Sequence, residues 1–252
     1  MQINDWIYLV GSDQFGISDP RDSNIYLLDG ADEIALVDTG RVVGQEAILD
    51  CIQTSGFTPA QIETILLTHH HGGHSEACAF YRERWGTRVI AHENSVPFLS
   101  TGDNDEMRFL RALGNYDDSY RFPTFTPDII LQGGETFNVG RLQVEAIHVR
   151  GHTDDSICYL VEADGQKALF TGDTVFFDGL VGLVNLPGCS IDDYRADIVK
   201  LADLGIDMLM PGHGVFVMRG GQGHVNDAIA QFHSRVRLPR SYFEGIRHLR
   251  TG

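Results

Sequence analysis

The stretch Thr68-His69-His70-His71-Gly72-Gly73-His74 constrains this chain more than any other. It follows Ile62 to Leu67, an apolar run that reads as a buried strand. In extended backbone His69 and His71 project to the same side, because side chains alternate with a period of two. His74 comes where the chain is expected to enter a helix over Ser75 to Trp85. Three neutral imidazoles converging from one short loop suit Zn²⁺, Fe or Mn. By the same alternation His70 points away from its neighbours, so it reads as a supporting residue.

Three later positions place metal-capable side chains directly after apolar strands. They are His152 in Gly151-His152-Thr153, Asp173 in Thr171-Gly172-Asp173-Thr174 and His213 in Pro211-Gly212-His213-Gly214. Each has a flanking glycine, which lets backbone approach a site closely. One Gly-His at a strand end is weak evidence, but three such ends and the histidine loop form a ligand set for one or two cations. His92 and His148 also lie at strand ends and border the site at most. His224, His233 and His248 read as surface or packing residues of a C-terminal helical region.

Around these motifs the chain reads as strands at Trp6 to Val10, Asn24 to Leu28 and Glu33 to Val37, then a helix from Val43 to Thr54. Ile62 to Leu67 and Thr87 to Ala91 are the next strands. From Asn94 to Pro127 the pattern breaks down, and this segment is expected to be an irregular insert, a lid or substrate loop. Its aromatic and Met side chains either wall a substrate pocket or pack the segment onto the body. Strands resume at Asp128 to Leu131, Leu142 to Val149, Ser156 to Glu162, Lys167 to Thr171 and Ile206 to Met210. Helices are expected at Asp192 to Leu204 and from Val225 to about Arg250, broken at Pro239. Arg219 to Gly223 reads as a connector. Two runs of strands, each followed by helices, imply a layered α/β domain.

At 252 residues, 42% hydrophobic and 21% charged, the chain is expected to be one globular domain with a core large enough to need no staples. The net charge of −16 disfavours nucleic acid and anionic membranes as partners. No signal peptide is visible and no apolar run reaches transmembrane length, so a cytoplasmic protein is expected. The cysteines Cys51, Cys78, Cys158 and Cys189 form no C-x-x-C pair and read as reduced thiols. Only Cys189 is entertained as a metal ligand.

The order histidine loop, Gly-His-Thr, Thr-Gly-Asp-Thr, Pro-Gly-His-Gly resembles the metallo-β-lactamase-fold superfamily, over nearly the whole chain and including Val37-Asp38-Thr39-Gly40. The resemblance implies an αββα sandwich of two mixed sheets with helices outside. It also implies that His69, His71 and His152 bind a first metal, that His74 and His213 bind a second, and that Asp173 bridges both. Asp173 and His213 are the implied catalytic residues. The superfamily motif is His-x-His-x-Asp-His, and here Gly73 stands where the Asp would be. Loss of that anionic ligand is expected to weaken the second site, Asp38 is one candidate replacement, and Gly73→Asp is expected to raise second-metal occupancy.

A metal at such a site lowers the pKa of bound water and polarises a carbonyl oxygen. The expected activity is metal-dependent hydrolysis of an ester, lactone, thioester or amide, with one or two zinc ions and a small-molecule substrate. No Gly-x-Ser-x-Gly or Cys–His motif offers a competing nucleophile. The chain lacks a clear extension of the kind glyoxalase II uses for glutathione. The length and insert resemble lactonases of this fold, which place Tyr where this chain has Phe176. Phe176, Phe122, Tyr120 and Met107 are the candidate substrate contacts. The alternatives are a one-iron persulfide dioxygenase using His71, His152 and Asp173, or a non-catalytic member. A homodimer is a family-level expectation.

Overall fold

The computed structural model describes residues 1–114, 116–117, 119–234 and 238–243. The first half carries β1 (Ile7–Gly11), β2 (Ile25–Asp29), β3 (Ile34–Val37), α1 (Gln45–Thr54), β4 (Ile62–Leu66), α2 (Gly72–Ser75), α3 (Cys78–Trp85) and β5 (Arg88–His92). Next come α4 (Val96–Thr101), α5 (Asp105–Ala112) and β6 (Ile129–Leu131). The second half carries β7 (Thr136–Val139), β8 (Leu142–His148), β9 (Ile157–Ala163), β10 (Gln166–Gly172), α6 (Ile191–Asp197), β11 (Met208–Pro211) and α7 (Gly221–His233).

Strands β1 to β6 form a six-stranded sheet in chain order, and a five-stranded sheet has the order β11-β10-β9-β8-β7. Both are mixed. The first is antiparallel from β1 to β3 and parallel from β3 to β6. In the second, only β10 and β11 run parallel.

Strand alternation builds the layers. Along β2, Tyr26 and Leu28 enter one apolar cluster while Ile25 and Leu27 enter another. Along β9, Ile157, Tyr159 and Val161 join Tyr26 and Leu28, whereas Cys158 and Leu160 join a third cluster. The shared cluster is therefore the layer between the sheets. The second packs α1 and α3 on the outer face of the first sheet, through residues such as Ile48, Ile52 and Tyr81. The third packs α6 and α7 on the outer face of the second, through Tyr194, Val225 and Phe232. This is the expected four-layer αββα arrangement. Strands buried on both faces show no polar–apolar alternation, which is why they read as apolar runs.

Buried tyrosines tie the sheets together beside the motif loops. The Tyr26 hydroxyl, on the first sheet, donates to the Pro211 carbonyl at 2.9 Å, just before His213. Tyr159, on the second sheet, donates to the Leu67 carbonyl at 2.9 Å, just before the histidine loop. Asn24 adds bonds from Nδ2 to the Pro211 and Gly214 carbonyls, each 3.0 Å. Tyr159→Phe leaves the buried Leu67 carbonyl without this donor and is expected to cost about 1–3 kcal/mol of stability. A urea midpoint unchanged from wild type would show that the tie carries no load.

The insert departs from expectation, since it carries α4 and α5 rather than irregular chain. Pro97 lies in the first turn of α4, where a proline is tolerated, and Gly102 ends the helix in a left-handed conformation. The Asn104 side chain caps α5 by accepting from Met107 N at 2.7 Å. Strand β7 is missing from the sequence reading because only Val139 in it is buried. Helix α6 ends at Asp197 and tightens into a 3₁₀ turn, so the expected helix to Leu204 is shortened. Helix α7 begins at Gly221 and ends at His233. Leu238 to Phe243 are not helical, which corrects that part of the expected C-terminal helix. His248 and the reading to Arg250 lie outside the described residues.

Candidate metal centre

The motif loops meet at one end of the sandwich. The histidine loop follows β4, His152 follows β8, Asp173 follows β10 and His213 follows β11, so each comes at the carboxyl end of its strand. Asp38 follows β3 with a positive φ of 62°. A non-glycine residue in this left-handed region is strained, and such strain persists where surroundings enforce it.

His69 Nε2 and His152 Nε2 each lie 3.0 Å from His71 Nδ1. The outer ring nitrogens decide what these contacts are. His152 Nδ1 donates to the Gly182 carbonyl at 2.6 Å, so a neutral His152 has its lone pair on Nε2. The Thr68 hydroxyl donates to Asp38, 2.8 Å from Oδ2, and is left to accept from His69 Nδ1 at 3.1 Å. That puts the His69 lone pair on Nε2. His71 Nε2 donates to Glu106 Oε2 at 2.9 Å, which leaves the lone pair on Nδ1. With His71 neutral, three lone pairs then converge on one point. The vertices of a tetrahedral zinc site with roughly 2.0–2.1 Å bonds stand about 3.3 Å apart, close to the spacing here. Burial, together with the neighbouring histidines, holds the His69 pKa well below its ordinary value. Burial and His71 push the His152 pKa down to about 4, so both stay neutral at physiological pH.

The second half of the site surrounds His74 and Asp173, which are 1% and 4% exposed. His74 Nδ1 donates to Asp38 Oδ2 at 2.7 Å. His74 Nε2 and Asp173 Oδ1 are buried without a hydrogen-bond partner, 3.4 Å apart. Burial opposes charge on His74, but Asp173 and Asp38 outweigh it and raise its pKa to about 10 without a metal. Asp173 Oδ2 lies 3.6 Å from His152 Nε2 and 3.7 Å from His213 Nε2. Burial would raise the Asp173 pKa, yet His213 and His74 hold it far below the usual carboxylate range. Two donor sets thus share one wall: His69, His71 and His152, and His69, His74 and Asp173. Their free donor atoms fit a metal ion.

The family model of the metallo-beta-lactamase superfamily matches residues 18–213. The chain belongs to this superfamily. It is 29% identical over 213 residues to an acyl-coenzyme A thioesterase of Homo sapiens, covering 76% of this chain and 72% of that protein. It is 29% identical over 149 residues to a hydroxyacylglutathione hydrolase of Francisella tularensis, covering 59% of this chain and 47% of that one. A metallo-beta-lactamase family protein from Thermus thermophilus superposes with a TM-score of 0.71 at 25% identity, over 98% of this chain and 88% of the other. Hydrolysis of a small molecule is the activity these superfamily relationships support.

Within the superfamily's motif, the position of Gly73 is filled by neighbouring backbone. A Cβ there would stand 2.8 Å from the Arg21 carbonyl oxygen, and the Gly73 carbonyl accepts from Ser23 N at 3.1 Å. Asp38 does not take the missing aspartate's place, because its oxygens are engaged by Thr68 and His74. It orients His74 instead. Glycine is required again at Gly212, where a Cβ would meet Asp173 Oδ1 at 2.5 Å and His74 Cε1 at 2.7 Å.

The substrate-contact expectations fare unevenly. Phe122 and Met107 are each 5% exposed and packed in the layer outside the first sheet. This is the packing alternative of the two that the sequence offers for them. Phe176 is buried too, with its ring stacked on Tyr242 at 4.3 Å, so it backs that side chain. Tyr120 is half-buried and donates to Glu76 Oε2 at 2.7 Å beside Arg41. Sequence reasoning misses Phe243 and Tyr242. Phe243 stacks 6.1 Å from the His152 ring, and Tyr242 lies 6.3 Å from that of His213. Their segment reads as helix, and nothing local announces that Tyr242 N bonds the Val181 carbonyl instead. Among the described residues, His92 and His148 belong to no metal-capable group and stack on each other at 3.8 Å. Cys189 belongs to none either, and its sulfur accepts from Val184 N at 3.4 Å. No helix among the described residues is long and apolar enough to cross a membrane.

Proposed function

We propose that this chain is a zinc-dependent hydrolase of small acyl thioesters. The observation that carries the metal assignment is the convergence of the His69, His71 and His152 lone pairs beside the partnerless His74 Nε2 and Asp173 Oδ1. His69, His71 and His152 hold the first ion, and His74, Asp173 and His213 hold the second, more weakly because Gly73 brings no carboxylate. When bound, zinc supplies a water of lowered pKa and a Lewis acid for the scissile carbonyl.

The protein's own groups set the conditions for this chemistry. Thr68, Glu106 and the Gly182 carbonyl fix the three ligand tautomers. Asp38 holds the His74 ring so that Nε2 faces Asp173. Asp173 stays ionised among three histidines and balances the cationic charge. His213 is the more exposed member of the set, its side chain 16% accessible, and faces the substrate side together with Tyr242 and Phe243. The thioester assignment draws its support from the two relatives named as an acyl-coenzyme A thioesterase and a hydroxyacylglutathione hydrolase. A cytoplasmic place of action accords with four unpaired cysteines, and cell fractionation tests it.

Elemental mass spectrometry on protein purified without added metal is expected to find at least one zinc per chain. Acyl-coenzyme A and S-acylglutathione thioesters are expected to turn over faster than lactones or β-lactams. Chelation should abolish that turnover and added zinc restore it. Protein that holds no metal even after supplementation, or thioester cleavage indifferent to chelation, would overturn the proposal.

A further inference from the structure

Helix α5 of the insert reaches into the metal centre through one side chain. Glu106 lies in its first turn and is 7% exposed, although it is a carboxylate. Charged groups at such burial are held by specific partners. Here the partners are both on the histidine loop: Glu106 Oε2 accepts from His71 Nε2 at 2.9 Å and stands 3.3 Å from His70 Nε2. His70 is gripped from its other side, where Nδ1 donates to Asp155 Oδ1 at 2.9 Å and its backbone N donates to Asp155 Oδ2 at 2.9 Å. Ser95, in the turn leading into α4, donates to the same Asp155 oxygen at 2.6 Å. The helix cap joins in, since Asn104 Nδ2 lies 3.2 Å from His70 Nε2. A buried network therefore runs from Asp155 through His70 to Glu106 and ends on His71.

We propose that Glu106 is a positioning residue for the metal centre: by accepting from His71 Nε2 it holds His71 with its Nδ1 lone pair turned to the metal, so that docking of the insert completes the first metal site. The proposal rests on the metal-centre reading above. His71 is the ring in most need of such help. Its side chain is 17% exposed, whereas those of His74 and His152 are 2% and 1% exposed, and its Nδ1 is the atom that both other first-site nitrogens contact. Without an acceptor at Nε2, the neutral ring is free to carry its proton on Nδ1 and present no ligand. Carboxylates that bind the far nitrogen of a metal-ligating histidine also strengthen it as a donor.

The test compares wild type, Glu106→Gln and Glu106→Ala by zinc affinity in chelator competition, by the visible absorption spectrum of the cobalt(II)-substituted protein, and by thermal unfolding of the metal-free protein. Glu106→Ala is expected to bind zinc about 10–100-fold more weakly. Glu106→Gln is nearly isosteric and keeps an amide oxygen that can accept. It is expected to remain folded, to lose less affinity than Glu106→Ala, and to shift the cobalt spectrum because the His71 donor has changed. A role confined to pinning the insert would move the unfolding temperature and leave that spectrum alone. Zinc affinity within twofold of wild type and an unchanged cobalt spectrum in folded Glu106→Gln would overturn the inference. If wild type itself retains no metal, the metal-centre reading fails first, which separates the two failures.

Discussion

His152→Ala is expected to abolish tight metal binding and hydrolysis together. The ring is 2% exposed and supplies one of the three lone pairs that meet at the first site. Two histidines would remain, and the Gly182 carbonyl would lose the donor that now sits at 2.6 Å. Disturbing only the outer partner of a metal ligand costs about 10–100-fold in affinity, so deleting the ligand should exceed that. Chelator competition and thioester turnover on the same preparation check it. Turnover at the wild-type rate in a folded His152→Ala protein would sink the metal assignment. A loss of turnover with wild-type zinc affinity would place the ion elsewhere.

The second large effect is expected at Gly73, with a sign opposite to the one the motif suggests. By the motif alone, restoring the superfamily's aspartate returns a missing ligand. The structure instead sets the Arg21 carbonyl oxygen 2.8 Å from where the new Cβ must go, and the obstacle is backbone, not the end of a flexible side chain. Loop 19–23 would have to move, and that loop is anchored: Asp22 Oδ1 accepts from Arg41 N at 2.7 Å and Ser23 N donates to the Gly73 carbonyl. Overpacking of this kind costs about 1–3 kcal/mol. For a chain of this size that lowers the melting temperature by about 2–12 °C. Gly73→Asp is therefore expected to unfold earlier and to bind no more metal than wild type. A second zinc gained in titration at unchanged thermal stability would show that the loop yields at little cost.

Much of this site was legible because its signals are short-range. Alternation within an extended loop places His69 and His71 on one side and His70 on the other, and the structure agrees, with His70 turned to Asp155 and Glu106. Apolar runs ending in Gly-His or Gly-Asp mark the strand ends that carry His152, Asp173 and His213. Other features were illegible for a physical reason. Phe122 and Met107 look like pocket residues in an aromatic segment, but burial against the first sheet is set by α4 and α5, whose start signals at Pro97 and Asn104 resemble breaks in the pattern. Tyr242 and Phe243 reach the site through pairing of their segment with the chain around Val181, a contact between residues about sixty positions apart.

The sequence by itself determined the candidate ligand types, their order along the chain and the strands that deliver them, because these follow from backbone periodicity and from the chemistry of imidazole and carboxylate. Only the tertiary structure decided which ring nitrogen of each histidine faces the candidate metal site, since that choice is made by an acceptor or donor from another element: Gly182 for His152, Glu106 for His71, Thr68 with Asp38 for His69. It also decided that Gly73 has no room for a side chain, because the obstructing carbonyl belongs to a loop some fifty residues earlier. Tautomer and free volume are properties of what surrounds a residue, and those surroundings exist only once the two sheets have closed on each other.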